Sequence, residues 1–130
     1  MNVVDSSAWL EYFGDGPNAN SFAGPIQDEG SLLVPSITLF EVFKRVRMQR
    51  DSDSALEAVA HMKRGAVIDL DGHLAIEAAE MSADLGLSLA DSVILATAQA
   101  EHATLWTQDP HFEGMSGVQY YAHRTKGKKP

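Results

Sequence analysis

Cysteine is absent from all 130 residues. That excludes disulfide frameworks, thiol catalysis and cysteine-based zinc sites together. It also suits a reducing compartment. Long apolar runs are missing too: no stretch approaches the roughly 18 consecutive apolar residues of a membrane span. The opening MNVVDSSAW lacks the basic region and longer apolar run of a signal peptide. The expectation is a soluble, cytoplasmic protein with no membrane partner. Basic residues are few, ten against eighteen acidic ones, for a formal net charge of −8. Bulk charge therefore argues against binding a polyanion. Distribution qualifies this: Lys44, Arg45, Arg47 and Arg50 form one cluster, and Arg124, Lys126, Lys128 and Lys129 a second. An acidic body with two basic patches can still hold a polyanion locally, above all if divalent cations cancel some carboxylates.

What is present alternates strand and helix. Asn2–Val4 reads as a short strand ending at Asp5. Ser7 can cap a helix carrying Trp9, Leu10, Tyr12 and Phe13, broken by Gly14, Gly16 and Pro17. A second short helix covers 18–23, and Leu32–Val34 is a second strand. Pro35 and Ser36 open a helix to about Gln49, with Thr38-x-x-Glu41 resembling a capping box. Ser54-x-x-Glu57 starts another helix, stopping near Gly65. Ala66–Leu70 is a third strand. Asp71 caps a helix closed by Gly86. Ser88 caps the next, Leu89–His102, which is apolar almost all round and so expected to be deeply buried. Leu105–Thr107 and Val118–Tyr121 complete five strands. Residues 1–122 read as one domain, and 123–130 as a basic, mobile tail. Alternating strands and helices imply an α/β fold with a parallel sheet covered on both faces. In such sheets ligands bind beyond the carboxyl ends of the strands.

Four acids fall at that edge. Asp5 follows the first strand and Asp109 the fourth. Glu41 lies about one turn into the helix after strand two, and Asp91 in the first turn of the helix that feeds strand four. Crossover helices running antiparallel to the strands begin at the carboxyl edge, so all four aim at one rim. Two carboxylates about 5 Å apart repel by roughly 3 kcal/mol at an effective dielectric near 20. A group of four is tolerable only with protons or a cation among them. No Lys or Arg adjoins Asp5, Asp91 or Asp109 in sequence. Hard oxygen ligands suit Mg²⁺ or Mn²⁺.

Each acid also has a plain structural role open to it. Asp5 can cap a helix, Glu41 can close a capping box or pair with Arg45, Asp91 can serve the Ser88 cap, and Asp109 before Pro110 can start a turn. Those roles do not explain why all four project to one edge. Asp91 resists them most, because it shares a face with Leu95 and Ala98 on the most apolar helix, where an idle charge is costly.

These segments resemble the PIN domains, and among them the VapC-type toxins of bacterial toxin–antitoxin pairs. The resemblance rests on Val-Val-Asp5-Ser6-Ser7-Ala8-Trp9-Leu10, on Val34-Pro35-Ser36-Ile37 leading to Glu41-Val42, on Leu89-Ala90-Asp91-Ser92 with Ala96-Thr97-Ala98, and on Leu105-Trp106-Thr107-Gln108-Asp109-Pro110-His111-Phe112. Order and spacing match from residue 1 to about 121. Each motif is short; four in order are fairly specific. The resemblance implies a Rossmann-like PIN fold with a five-stranded parallel sheet. It implies a metal pocket of Asp5, Glu41, Asp91 and Asp109, with Ser6 or Ser7 and Thr107 orienting the acids. It implies a homodimer and a cognate VapB-type antitoxin whose peptide lies near the pocket. The basic tail is no family feature, and Gln108 stands where many members carry a basic or polar residue.

The five histidines, His61, His73, His102, His111 and His123, show no metal-ligand spacing such as HExxH and read as surface or loop residues. GxSxG, Walker A and GxGxxG are all absent. The aromatic residues Trp9, Tyr12, Phe13, Phe40 and Phe43 read as core or dimer packing. The resulting expectation is an Mg²⁺/Mn²⁺-dependent endoribonuclease. Asp5, Glu41, Asp91 and Asp109 would be its catalytic and metal-binding residues, with Lys44, Arg47, Ser6 and Thr107 at the RNA. The alternatives are a catalytically quiet PIN-like module binding RNA or protein, a DNA-cutting variant, and a phosphoryl-accepting receiver. The last wants an Asp after a central strand and a Lys after a later one; Asp69 fits poorly, and no Lys follows Leu105–Thr107.

Overall fold

A computed structural model describes residues 1–125. The chain runs β1 (Asn2–Val4), α1 (Ser6–Phe13), α2 (Ala19–Gln27), β2 (Leu32–Pro35), α3 (Ser36–Gln49), α4 (Ser52–Met62), β3 (Ala66–Ile68), α5 (Gly72–Leu85), α6 (Leu89–Ala100), β4 (Thr104–Thr107) and β5 (Val118–Tyr120). Single 3-10 turns occupy Glu29–Ser31 and Pro110–Phe112. All strand pairs are parallel, in the order β3-β2-β1-β4-β5. The α/β architecture read from the sequence is the one observed.

Strand alternation builds two cores. Val4, Leu32 and Val34 face Trp9, Phe22, Ile26, Val42 and Met62 on one side. Val3, Leu33 and Leu105 face Ile94, Leu95 and Phe112 on the other. Helix α6 buries every residue from Ser92 to Ala98, as its apolar circumference requires. Its first residue does not follow: Leu89 is 73% exposed, because the helix only meets the sheet one turn later. Among the described residues, no single helix is long and apolar enough to cross a membrane.

Several boundaries differ from the sequence reading, each for a local reason. Asp5, not Ser7, caps α1, accepting the Ser6 N–H at 2.8 Å. Helix α2 runs on to Gln27 through Pro25, which is buried with Phe22 and Ile26; packing there outweighs the lost backbone bond. Asp51, three residues ahead of Ser54, caps α4, accepting the Ser54 N–H at 2.7 Å. The Thr38–Glu41 capping box does not form. Thr38 lies inside α3, and its hydroxyl donates back to the Pro35 carbonyl at 2.7 Å. Strand β3 stops at Ile68 rather than Leu70. The caps at Asp71, Gly86 and Ser88 are as expected, with Gly86 left-handed at φ 70°.

The order of strands fixes where a ligand can sit. From β1 the chain steps outward to β2 and β3, then returns to place β4 on the other side of β1. The switch point thus lies between β1 and β4, and the crevice beyond their carboxyl ends is the favoured ligand site in open α/β sheets. Of the tail expected over 123–130, residues 126–130 lie outside the described residues. Within them, Arg124 is held: its guanidinium donates to Asn18 Oδ1 at 3.1 Å and to the Pro17 carbonyl at 2.7 Å.

Candidate active site

The β1–β4 ladder continues one residue past the end of β1, with the Asp5 N–H donating to the Trp106 carbonyl at 2.9 Å. This sets Asp5 beside Thr107. Asp5 is almost fully buried, and three donors address its carboxylate. The Ser6 N–H bonds Oδ1 at 2.8 Å, while the Ser7 and Thr107 hydroxyls bond Oδ2 at 2.9 and 2.8 Å. Thr107 Oγ1 also accepts the Asp109 N–H at 2.9 Å, so one hydroxyl ties the ends of β1 and β4 together. Ser6 turns the other way and donates to Glu41 Oε1 at 2.6 Å, joining α1 to α3.

A cavity of about 700 Å³ opens over these groups, lined by Asp5, Glu41, Asp91 and Asp109 together with Lys44 and Arg45. The four acids expected from the sequence therefore come together. Asp91 arrives from the first turn of α6, and Asp109 from the cap of the Pro110–Phe112 turn. Among the described residues, none of the four forms an ion pair with Lys or Arg. Burial pushes the Asp5 carboxyl from 3.8 up to about 6; its hydrogen bonds to Thr107 and Ser7 oppose the rise and the Asp91 charge adds to it. Asp91 is also raised, by burial first and then by the Asp109 charge, with His111 opposing. The site is thus acidic, poorly solvated and short of counter-charge.

His111 stands against two of these acids. Its Nδ1 lies 3.1 Å from Asp109 Oδ1 and 3.4 Å from Asp91 Oδ2. Ligand atoms of Asp91, Asp109 and His111 all fall within 4.8 Å of one another. In the sequence this histidine shows no ligand spacing and reads as a surface or loop residue. The signal available was its place two residues after Asp109, in the turn that leaves β4. The donor set fits a divalent cation: several carboxylate oxygens with one imidazole, none of the acids paired to Lys or Arg among the described residues.

The other residues expected at the substrate fall differently. Lys44 lines the cavity, its Nζ 5.9 Å from the centre of the Phe40 ring. Arg47 is not among the lining residues, and Arg45 is. Ser6 lines the cavity with its hydroxyl committed to Glu41. Thr107 is completely buried, and its hydroxyl is engaged by Asp5 and the Asp109 amide. Its geometry is that of a group that holds an acid.

A family model for the PIN domain matches residues 3–118, and the chain belongs to that family. No curated protein matches the sequence. Among solved structures, a chain of a toxin–antitoxin complex from Klebsiella pneumoniae superposes with a TM-score of 0.79 at 21% identity, covering 95% of this chain and 100% of that one. VapC20 of Mycobacterium tuberculosis, described as a toxin that cleaves the sarcin–ricin loop, gives 0.73 at 14% identity over 89% and 95%. A chain of DNA-bound VapBC from Salmonella typhimurium gives 0.72 at 18% identity over 94% and 97%. At such identities the likeness is one of fold.

Proposed function

We propose that this PIN domain is a divalent-cation-dependent endoribonuclease of the VapC type, the toxin of a toxin–antitoxin pair. The observation that carries the reading is the convergence of Asp5, Glu41, Asp91 and Asp109, from four separated segments, on one cavity without a Lys or Arg partner among the described residues. An arrangement so unfavourable by itself is expected where a cation is meant to enter. Mg²⁺ or Mn²⁺ would be held by Asp5, Asp91 and Asp109, with Glu41 and His111 at hand. When bound, the ion would lower the pKa of a water and neutralise charge on the attacked phosphate.

The remaining work falls to the chain itself. Ser7, Thr107 and the Ser6 amide fix both oxygens of Asp5, so the carboxylate needs little reorganisation to accept the ion. Ser6 occupies Glu41 Oε1 and leaves Oε2 without a partner among the described residues, a group able to orient a water. Lys44 and Arg45 line the cavity alongside the acids, where cations suit the phosphates of an RNA strand. With an overall charge of −8, RNA affinity depends on local basic groups such as these. A cognate VapB-type antitoxin and a homodimer complete the proposal. The first is supported by the toxin–antitoxin complexes among the structural matches; the second comes from the family resemblance.

The test is cleavage of structured RNAs, and of DNA of the same sequence, with Mn²⁺ or Mg²⁺ and with chelator. The expected result is RNA cleavage that needs the ion and is lost in Asp5→Asn. Equal cleavage by both proteins would remove the catalytic assignment. Equal cutting of DNA would remove the restriction to RNA.

A further inference from the structure

Asn18 stands at the N-cap of α2, where an asparagine side chain ordinarily accepts a backbone N–H of the first turn. Here it makes no such bond. The side chain is instead 97% removed from solvent, at 3% exposure, and reaches three residues far away in the chain. Its Nδ2 donates to Gln108 Oε1 at 3.1 Å and to the Ala122 carbonyl at 2.9 Å. Its Oδ1 accepts from Arg124 Nε at 3.1 Å. The partners leave no choice of amide orientation. A guanidinium can only donate and a carbonyl can only accept, so the oxygen must face Arg124 and the nitrogen Ala122. Gln108 must then present its oxygen to Asn18, which turns its own Nε2 toward the Ser7 carbonyl, a long contact at 3.5 Å.

Gln108 lies between Thr107, whose hydroxyl holds Asp5, and Asp109, which lines the acid cavity. In extended chain, side chains alternate in direction. Clamping residue 108 on one side therefore sets the direction of residues 107 and 109 on the other. The turn that follows carries His111, whose N–H bonds Asp109 Oδ1 at 2.9 Å.

From this geometry we infer that Asn18 is a positioning residue: acting through Gln108, it holds the segment that carries Asp109 and His111 against Asp5 and Asp91. The inference rests on the nuclease reading for its catalytic consequence, and on geometry alone for its mechanical one. Partners that orient metal-binding groups are typically worth roughly 10-fold or more in affinity or rate.

The experiment compares wild type, Asn18→Ala, Gln108→Ala and the double variant. Three readouts are taken: Mn²⁺ affinity by calorimetry, kcat and KM on an RNA substrate, and amide exchange over residues 109–112 in chelator. Each single variant is expected to bind Mn²⁺ about 10-fold more weakly and to lose kcat with KM little changed. Exchange should quicken at 109–112, and the double variant should be no worse than the worse single. A purely structural role would lower thermal stability and leave affinity and kcat of the folded protein intact; that result, or additive losses, overturns the inference. If Asn18→Ala does not fold, Gln108→Ala alone decides, since it removes the same link from its other end. If wild type neither binds Mn²⁺ nor cuts RNA, the nuclease reading fails, and unchanged exchange at 109–112 in the variants would separately sink the positioning claim.

Discussion

Asp5 should make the ion-free protein less stable as the pH rises, the reverse of what most carboxylates do. Its carboxyl is pushed from 3.8 to about 6, chiefly by burial. The folded protein therefore holds this proton more tightly than the unfolded chain does. Below pH 3.8 both states are protonated and the group contributes nothing to the difference. Between 3.8 and 6 the unfolded chain has released the proton and the folded protein has not, so stability falls as pH rises through that window. Above 6 the deficit is complete, at about 3 kcal/mol, since each pH unit of displacement is worth about 1.4 kcal/mol. The group is almost wholly buried, so solvent screening does not erase this. Asp91 shifts in the same direction, and comparison with a variant separates the two. Denaturant unfolding, followed by Trp9 and Trp106 fluorescence, would be run on wild type and Asp5→Asn in chelator from pH 3.5 to 7.5. The constant cost of an amide among the Ser7 and Thr107 hydroxyls cancels in the slope. The wild-type minus variant stability should fall by about 3 kcal/mol across the range. Mn²⁺ at 100 times its Kd should then return about 2.7 kcal/mol to wild type at pH 7, and little to the variant. A difference that is flat, or that rises with pH, would show that the three hydrogen bonds outweigh burial, and the account of the site as strained without a cation would fall.

Other perturbations read other parts of the structure. A Cβ on Gly65 would stand 2.9 Å from the Leu32 Cγ and carbonyl oxygen and 3.0 Å from Val34 Cγ2, so Gly65→Ala should cost about 1–3 kcal/mol by overpacking β2; unfolding within about 0.5 kcal/mol of wild type would contradict this packing. His111→Ala should weaken Ni²⁺ binding more than Mg²⁺ binding, because imidazole favours the former; equal calorimetric losses would place His111 outside the ion's reach. Ser6→Ala should lower stability by about 1 kcal/mol through loss of the 2.6 Å bond to Glu41, and adding Glu41→Gln should cost little more. Additive losses in that cycle would mean the bond is idle.

What could be read in the sequence is what local chemistry encodes. Asp5 and Asp109 each sit just past a strand, and Asp91 three residues after the serine that caps α6. Strand ends and helix starts leave marks within a few residues, so topology alone gathers these acids at one rim. Helix phase is equally legible, and it bears on which basic residues face the cavity. At 100° per residue, Lys44 and Arg45 lie within about 60° of Glu41 on α3, whereas Arg47 lies about 120° away. The cavity accordingly takes Lys44 and Arg45.

Asn18 and Gln108 left no such marks. Before a helix an asparagine reads as a cap, and a glutamine after a strand as an unremarkable polar residue. Their roles come from partners that the chain supplies 90 and 104 residues further on, Gln108 and Ala122 for Asn18. Glu11, a buried carboxylate on α1, accepts the Asn18 N–H at 2.7 Å and leaves no mark of its own either, though its partner lies nearby in the chain. No periodicity or capping rule specifies such bonds, because they depend on which surfaces meet after the sheet has closed. A buried amide at a cap position that declines to cap is, in physical terms, the sign to look for: the local bond it forgoes must be compensated elsewhere, and here the compensation runs to the residue beside Asp109.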